Sequence, residues 1–143
     1  RQPMGYARTP WYEALDYPGA FQMGYMRKFF ESRPFYKLVP DQQLVSNDFL
    51  RDSAPARAAR ADDNSFIVVY IPHGQNLDVA LSLFNGKEVD AWWYNPRMNT
   101  AIRMKNFTAK GRQSFDPPSD RRRGNDWVLV VDEASKHYPK PGK

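Results

Sequence analysis

At 143 residues the sequence has room for one ordinary domain, and a second would be cramped. Hydrophobic residues at 41% and charged residues at 26% exclude wholesale disorder, and no apolar run approaches the ~18 residues of a membrane helix. The absence of cysteine excludes a disulfide framework and a thiolate metal site, while a net charge of +5 leaves acidic polymers open as partners.

Aromatic residues at 15% and twelve prolines point to a β-domain with many turns. The sequence opens at Arg1 with neither an initiator Met nor a signal-type segment, so it reads as a piece of something longer. The segment Pro10-Trp11-Tyr12-Glu13-Ala14-Leu15 is short and loop-like. A helix is then expected from Pro18 to about Ser32, with Asp16 or Tyr17 as its cap and Arg33-Pro34 as its stop. Proline suits the first helical position because that N–H has no partner in any case. Phe21, Tyr25 and Phe29 form one row, and Met23, Met26 and Phe30 a neighbouring one. A face that broad and apolar has to be covered.

Residues 34–60 read as a connector anchored by Phe35, Tyr36, Leu38 and Val39, with one short strand near 57–60. From Ser65 the period changes to two. Residues 66–71 form a strand buried on nearly both faces, and 77–83 a half-buried strand. Asn85-Gly86 is a two-residue hairpin signal, which makes 88–94 the partner of 77–83. Asn99 suits a left-handed turn position. Strands near 101–104 and 112–115 follow, and the run 126–131, apolar on both faces, belongs at the centre of a sheet. Short strands with turns this dense predict an antiparallel β-sandwich.

Catalytic chemistry finds little support. Glycoside cleavage needs two carboxylates about 5–9.5 Å apart, and none of the sixteen acidic residues stands in a pattern that selects a pair. Asp62-Asp63-Asn64 lacks the spacing of a calcium loop and reads as a solvated turn. His73 and His137 read as turn and tail residues, and no cofactor motif is present. Arg121-Arg122-Arg123 raises nucleic acid as a partner, but Asp116, Asp120 and Asp126 neutralise most of its field. A solvated loop is the plainer reading.

The aromatic residues are the better lead. On strand 88–94, Asp90, Trp92 and Tyr94 share one face, the makings of a sugar-stacking platform. The plainer alternative, and the preferred one, packs Trp92 under the helix or a loop. Trp11 and Tyr12 form a second pair with the same ambiguity.

Several motifs together resemble one bacterial family. They are Pro10-Trp11-Tyr12-Glu13-Ala14-Leu15, Tyr17-Pro18-Gly19-Ala20-Phe21-Gln22-Met23, Glu31-Ser32-Arg33-Pro34, Val39-Pro40-Asp41-Gln42, Ala91-Trp92-Trp93-Tyr94-Asn95-Pro96-Arg97, Phe115-Asp116-Pro117-Pro118 and Asp126-Trp127-Val128-Leu129-Val130. The family comprises exported glycoside-hydrolase-like proteins, endo-apiosidases on pectic side chains among them. A (β/α)8 barrel is followed there by a domain carrying the name "putative collagen-binding domain of a collagenase". One departure is Asn99, where the family usually carries Gly, and Asn tolerates the same backbone conformation.

The resemblance implies that 1–43 is the end of a catalytic barrel, its helix being the barrel's last. It implies that 44–143 is a β-sandwich accessory domain and that the catalytic carboxylates lie upstream. Loops at that end of a barrel line the active site, so Trp11, Tyr12, Glu13 or Asp16 would border the substrate cleft. The implied partners are the barrel and a plant polysaccharide, with collagen as the alternative. No cofactor, metal or membrane partner is implied, and the implied location is outside the cytoplasm.

Overall fold

The computed structural model describes residues 9–46 and 54–143. Helix α1 (Trp11–Ala14) is a single turn where a loop was expected, and α2 (Pro18–Glu31) follows it. Pro18 sits in the first turn of α2, and Ser32 Oγ donates to Phe29 O at 2.6 Å where the helix ends. Among the described residues the strands are β1 (Leu38–Pro40), β2 (Arg57–Ala61), β3 (Phe66–Ile71), β4 (Leu77–Ala80), β5 (Glu88–Asn95), β6 (Thr100–Arg103), β7 (Phe107–Thr108), β8 (Arg112–Phe115) and β9 (Trp127–Glu133). The β2 strand includes the expected residues 57–60; part of the expected connector, 47–53, lies outside the described residues.

A large antiparallel sheet runs β1-β2-β3-β9-β5-β6, with β7 also pairing with β5. A small sheet, β4-β8, closes over one face, making a sandwich-like mainly β fold preceded by α2. The all-apolar β9 is central, flanked by β3 and β5, as its lack of a polar face requires. Strand β1 lies within residues read as connector, yet pairs with β2 in the large sheet.

The hairpin expected at Asn85-Gly86 does not form, because β4 pairs with β8 and β5 pairs with β9, β6 and β7. The strand stops at Ala80, and a 3-10 turn at Ser82–Phe84 lets Leu81 and Phe84 both enter the core. Gly86 has positive φ (79°) and donates to Ala109 O, while Ala109 donates back to Lys87 O. The turn thus carries the chain from one sheet to the other. Asn99 does adopt the left-handed conformation, at φ 52°.

Alternation along the central strands gives the large sheet two different faces. Ile67, Val69, Ile71, Leu129, Val131, Ala91 and Trp93 point inward and meet Val79, Leu81, Phe84 and Phe115 in the main core. The opposite face carries Val68, Trp92, Tyr94, Val128 and Val130, and Phe29 of α2 packs on it as a second, smaller cluster.

Candidate functional site

The outer face of the large sheet, with α2 upon it, holds most of the residues singled out from the sequence. Register places Asp90 beside Asp132, Trp92 beside Val130, and Tyr94 beside Val128. Tyr94 is 1% exposed. Its ring stacks on Phe29 at 4.7 Å and 30°, and its hydroxyl lies 3.2 Å from Tyr25 O and 3.1 Å from Asn99 Oδ1. A methyl group added at Gly142 would stand 2.7 Å from the Tyr94 ring, so the chain end closes it from another direction. Tyr94 therefore offers no open ring to a sugar, which corrects its place in the expected platform. Burial pushes its hydroxyl up to about 12.

Trp92 is half-buried and packs against the cluster that contains Phe29. The Arg103 guanidinium lies over it at 5.6 Å and donates to Asp90 Oδ1 at 2.7 Å. Asp90, Trp92 and Arg103 thus form one small group. Trp11 and Tyr12 lie on α1, exposed, in an edge-to-face pair at 5.9 Å. Neither belongs to the sheet-face cluster.

The residues that fix α2 to the sheet escaped sequence reasoning. The Arg33 and Asp132 side chains are each 3% exposed and meet as a fork on a carboxylate. Nε donates to Oδ1 at 2.8 Å and Nη2 to Oδ2 at 2.5 Å. Nη1 donates to Ser32 Oγ at 2.9 Å, and the guanidinium lies 5.8 Å from the Tyr138 ring centre. Tyr138 Oη in turn bonds Ser65 Oγ at 3.1 Å. Burial pushes the Asp132 carboxyl above its ordinary value, and the two bonds from Arg33 work against that shift. The available signal was an acid at the end of an apolar strand, on the same face as Val130 and Val128.

The rest of α2 is open. Phe21, Met23, Met26 and Phe30 are exposed, and Trp11, Tyr12, Leu15, Tyr17, Phe35 and Tyr36 extend the same apolar character to either side. An apolar cavity of about 400 Å³ runs between α2 and the sheet, from Met23 and Met26 to Tyr70, Arg97 and Asp126. A more polar cleft of about 670 Å³, lined by Asp41, Arg60, Asn64 and Arg112, lies elsewhere.

The remaining sequence candidates have ordinary roles. Asp63 bonds Lys37 and the Ser65 amide, and no group of three or more His, Asp or Glu among the described residues is placed to hold a metal ion. His137 is a left-handed turn residue at φ 51°, and Arg121 to Arg123 lie exposed in a loop. No helix among the described residues is long and apolar enough to cross a membrane.

A sandwich with a helix seated on its outer face defines a β-module with an exposed apolar side. The profile of the family described as "Putative collagen-binding domain of a collagenase" matches residues 39–132, and the chain belongs to that family. Two solved structures are similar in both sequence and fold. One, named "Glycoside hydrolase", is 31% identical with a TM-score of 0.82, over 97% of this chain and 32% of its own. The other, a glycoside hydrolase family 5 protein from Bacteroides vulgatus, is 30% identical with a TM-score of 0.80, over 94% of this chain and 28% of its own. The chain therefore spans about a third of the length of these relatives. No curated protein matches it.

Proposed function

We propose that the chain is the non-catalytic accessory part of a glycoside hydrolase acting on plant, pectic-type polysaccharide. Its task is to brace an upstream (β/α)8 barrel of the same polypeptide. One observation carries the reading. The inward side of α2 is locked on the sandwich, while Phe21, Met23, Met26 and Phe30 stay open in a chain a third as long as its solved relatives. An apolar face this size is more than scattered surface residues and suits an intramolecular interface. In this reading α2 is the barrel's last helix, and the barrel strands cover what is open here. The protein acts outside the cytoplasm, in keeping with the polysaccharide it meets.

Glycan contact belongs to the same proposal in a narrowed form. Trp92 supplies the ring, with Asp90 and Arg103 as polar neighbours, and Trp11 and Tyr12 border the substrate cleft. Tyr94 supports Trp92 from beneath α2 rather than touching sugar.

Joining the upstream part to this chain and measuring melting temperature and hydrolysis of pectic oligosaccharides tests the brace. A sandwich that alters neither quantity refutes it. For the glycan clause, Trp92→Ala is expected to weaken binding to plant polysaccharide, and unchanged affinity removes that clause. The family description gives collagen binding a standing of its own. Retention on fibrillar collagen at physiological salt, with none on pectin, would favour that reading.

A further inference from the structure

We propose that the Arg33–Asp132 pair is a positioning device that sets the angle at which α2 presents its open apolar face, and that it contributes little net stability. The inference rests on the bracing function for its purpose, though its geometry stands within this chain. A buried ion pair gains Coulomb energy but loses the hydration of both charges, and the two nearly cancel. What remains is direction. A guanidinium fork meets a carboxylate in one plane, so it fixes rotation as well as distance.

Apolar contact alone fixes α2 poorly. Phe29 is the only α2 side chain buried in the sheet-face cluster. One ring, stacked on Tyr94, leaves the helix free to pivot about it. Two polar ties remove that freedom. Tyr94 Oη reaches Tyr25 O one turn before Phe29, and the Arg33 fork reaches Asp132 one turn after it. Arg33 is itself held from behind by Ser32 Oγ and flanked by the Tyr138 ring. Asp132 sits on β9, the central strand, which is paired on both sides by β3 and β5.

The sequence contains no cysteine, so a pair of spin labels can be placed without background. Labels at Gln22→Cys on α2 and Ser114→Cys on β8, both exposed, report the helix-to-sandwich distance by electron–electron resonance. The parent is expected to give one narrow distribution. Replacing both partners with apolar residues, Arg33→Met with Asp132→Leu, is expected to broaden it while the denaturation midpoint stays at or near the parent's. Asp132→Asn alone, which strands a buried cation, is expected to lower the midpoint sharply. An unchanged distribution in the double variant overturns the proposal, as does a midpoint drop equal to that of Asp132→Asn. Should the double variant fail to fold, Arg33→Lys keeps the charge and loses the fork. A narrow distribution there overturns the proposal equally. The bracing function fails by a different result: exchanging Phe21 and Met26 for polar residues without effect on an attached upstream part, while the Arg33–Asp132 latch still gives a narrow distance distribution.

Discussion

The two faces of the large sheet differ in how they are closed. The inner face is apolar along three adjacent strands and sealed by the small sheet, with Ile67, Val69, Leu129, Val131 and Ala91 all fully buried. The outer face mixes Val68, Val130 and Val128 with Asp90, Asp132, Trp92 and Tyr94, and one helix covers part of it. Continuous apolar burial is the stronger source of folding free energy, at about 25 cal/mol per Å² removed from water. Polar groups on a covered face add less net energy but restrict how the cover can sit. The inner face is therefore the folding core. The outer face is an internal interface that retains orienting groups.

That contrast is broken most severely by emptying the inner face. Trp93 is buried in the main core, edge-to-face with Trp127 at 6.4 Å. Trp93→Ala is expected to cost roughly 3–5 kcal/mol, near the top of that range, because the sheets on either side cannot collapse into the space. Urea denaturation followed by fluorescence and by circular dichroism should shift together. A shift confined to one probe would mean that the inner face is not a single cooperative core.

On the outer face the matching change is Phe29→Ala. Its cost is expected near about 3 kcal/mol, the low end for such a truncation, because α2 can settle toward the sheet. The decisive reading is local. Amide exchange in α2 should accelerate by far more than exchange in β3 and β9. Equal acceleration in helix and strands would show that α2 belongs to the folding core after all.

Tyr94→Phe probes the same contact more gently. It removes a hydroxyl that bonds Tyr25 O and Asn99 Oδ1, at about 1 kcal/mol. It also has a pH signature. The Tyr94 hydroxyl is pushed up by burial to about 12 against 10.0. Its neutral form is the one the folded state favours, so that stability is complete below about pH 10 and is lost as pH rises toward 12. Tyrosine absorbance in the parent should show one ring ionising last, and the variant should lack it. If every tyrosine titrates by pH 11, α2 is not seated on Tyr94 in solution.

Much of the inner face was legible in the sequence, and the reason is periodic. Residues 66–71 and 126–131 are mostly apolar runs that have few places to go except the middle of a sheet, and the strands they form lie there. The Asn85-Gly86 signal misled because a turn dipeptide reports local backbone conformation and not the partner. Gly86 does take positive φ, but Leu81 and Phe84 gain more by turning into the core than by extending a hairpin. The outer face was only half legible. The aromatic residues showed that α2 needed a cover, yet the Arg33–Asp132 contact joins positions 99 residues apart and leaves no local pattern. Asp132 stood out only once its register with Asp90 and Phe66 was known.

The smallest expected effect concerns an ion pair that resembles the latch in partners but not in surroundings. Lys37 Nζ donates to Asp63 Oδ2 at 2.6 Å, tying the segment after α2 to the turn between β2 and β3. Both side chains are about a third exposed, so solvent screens them and the pair contributes little to stability. The bond from Lys37, helped by Ser65, holds the Asp63 carboxyl down at about 2 against 3.8. The ionised form is the one the folded state favours, so this stability is present above about pH 4 and fades as pH falls toward 2. Asp63→Asn should therefore lower the denaturation midpoint slightly at pH 6 and not at pH 2, and raised salt should shrink the difference. The buried pair predicts little salt dependence, because ions do not reach Arg33 and Asp132. A midpoint difference at Asp63 that ignores salt would mean that exposure does not separate the two pairs, and the contrast between the latch and the surface would lose its physical basis.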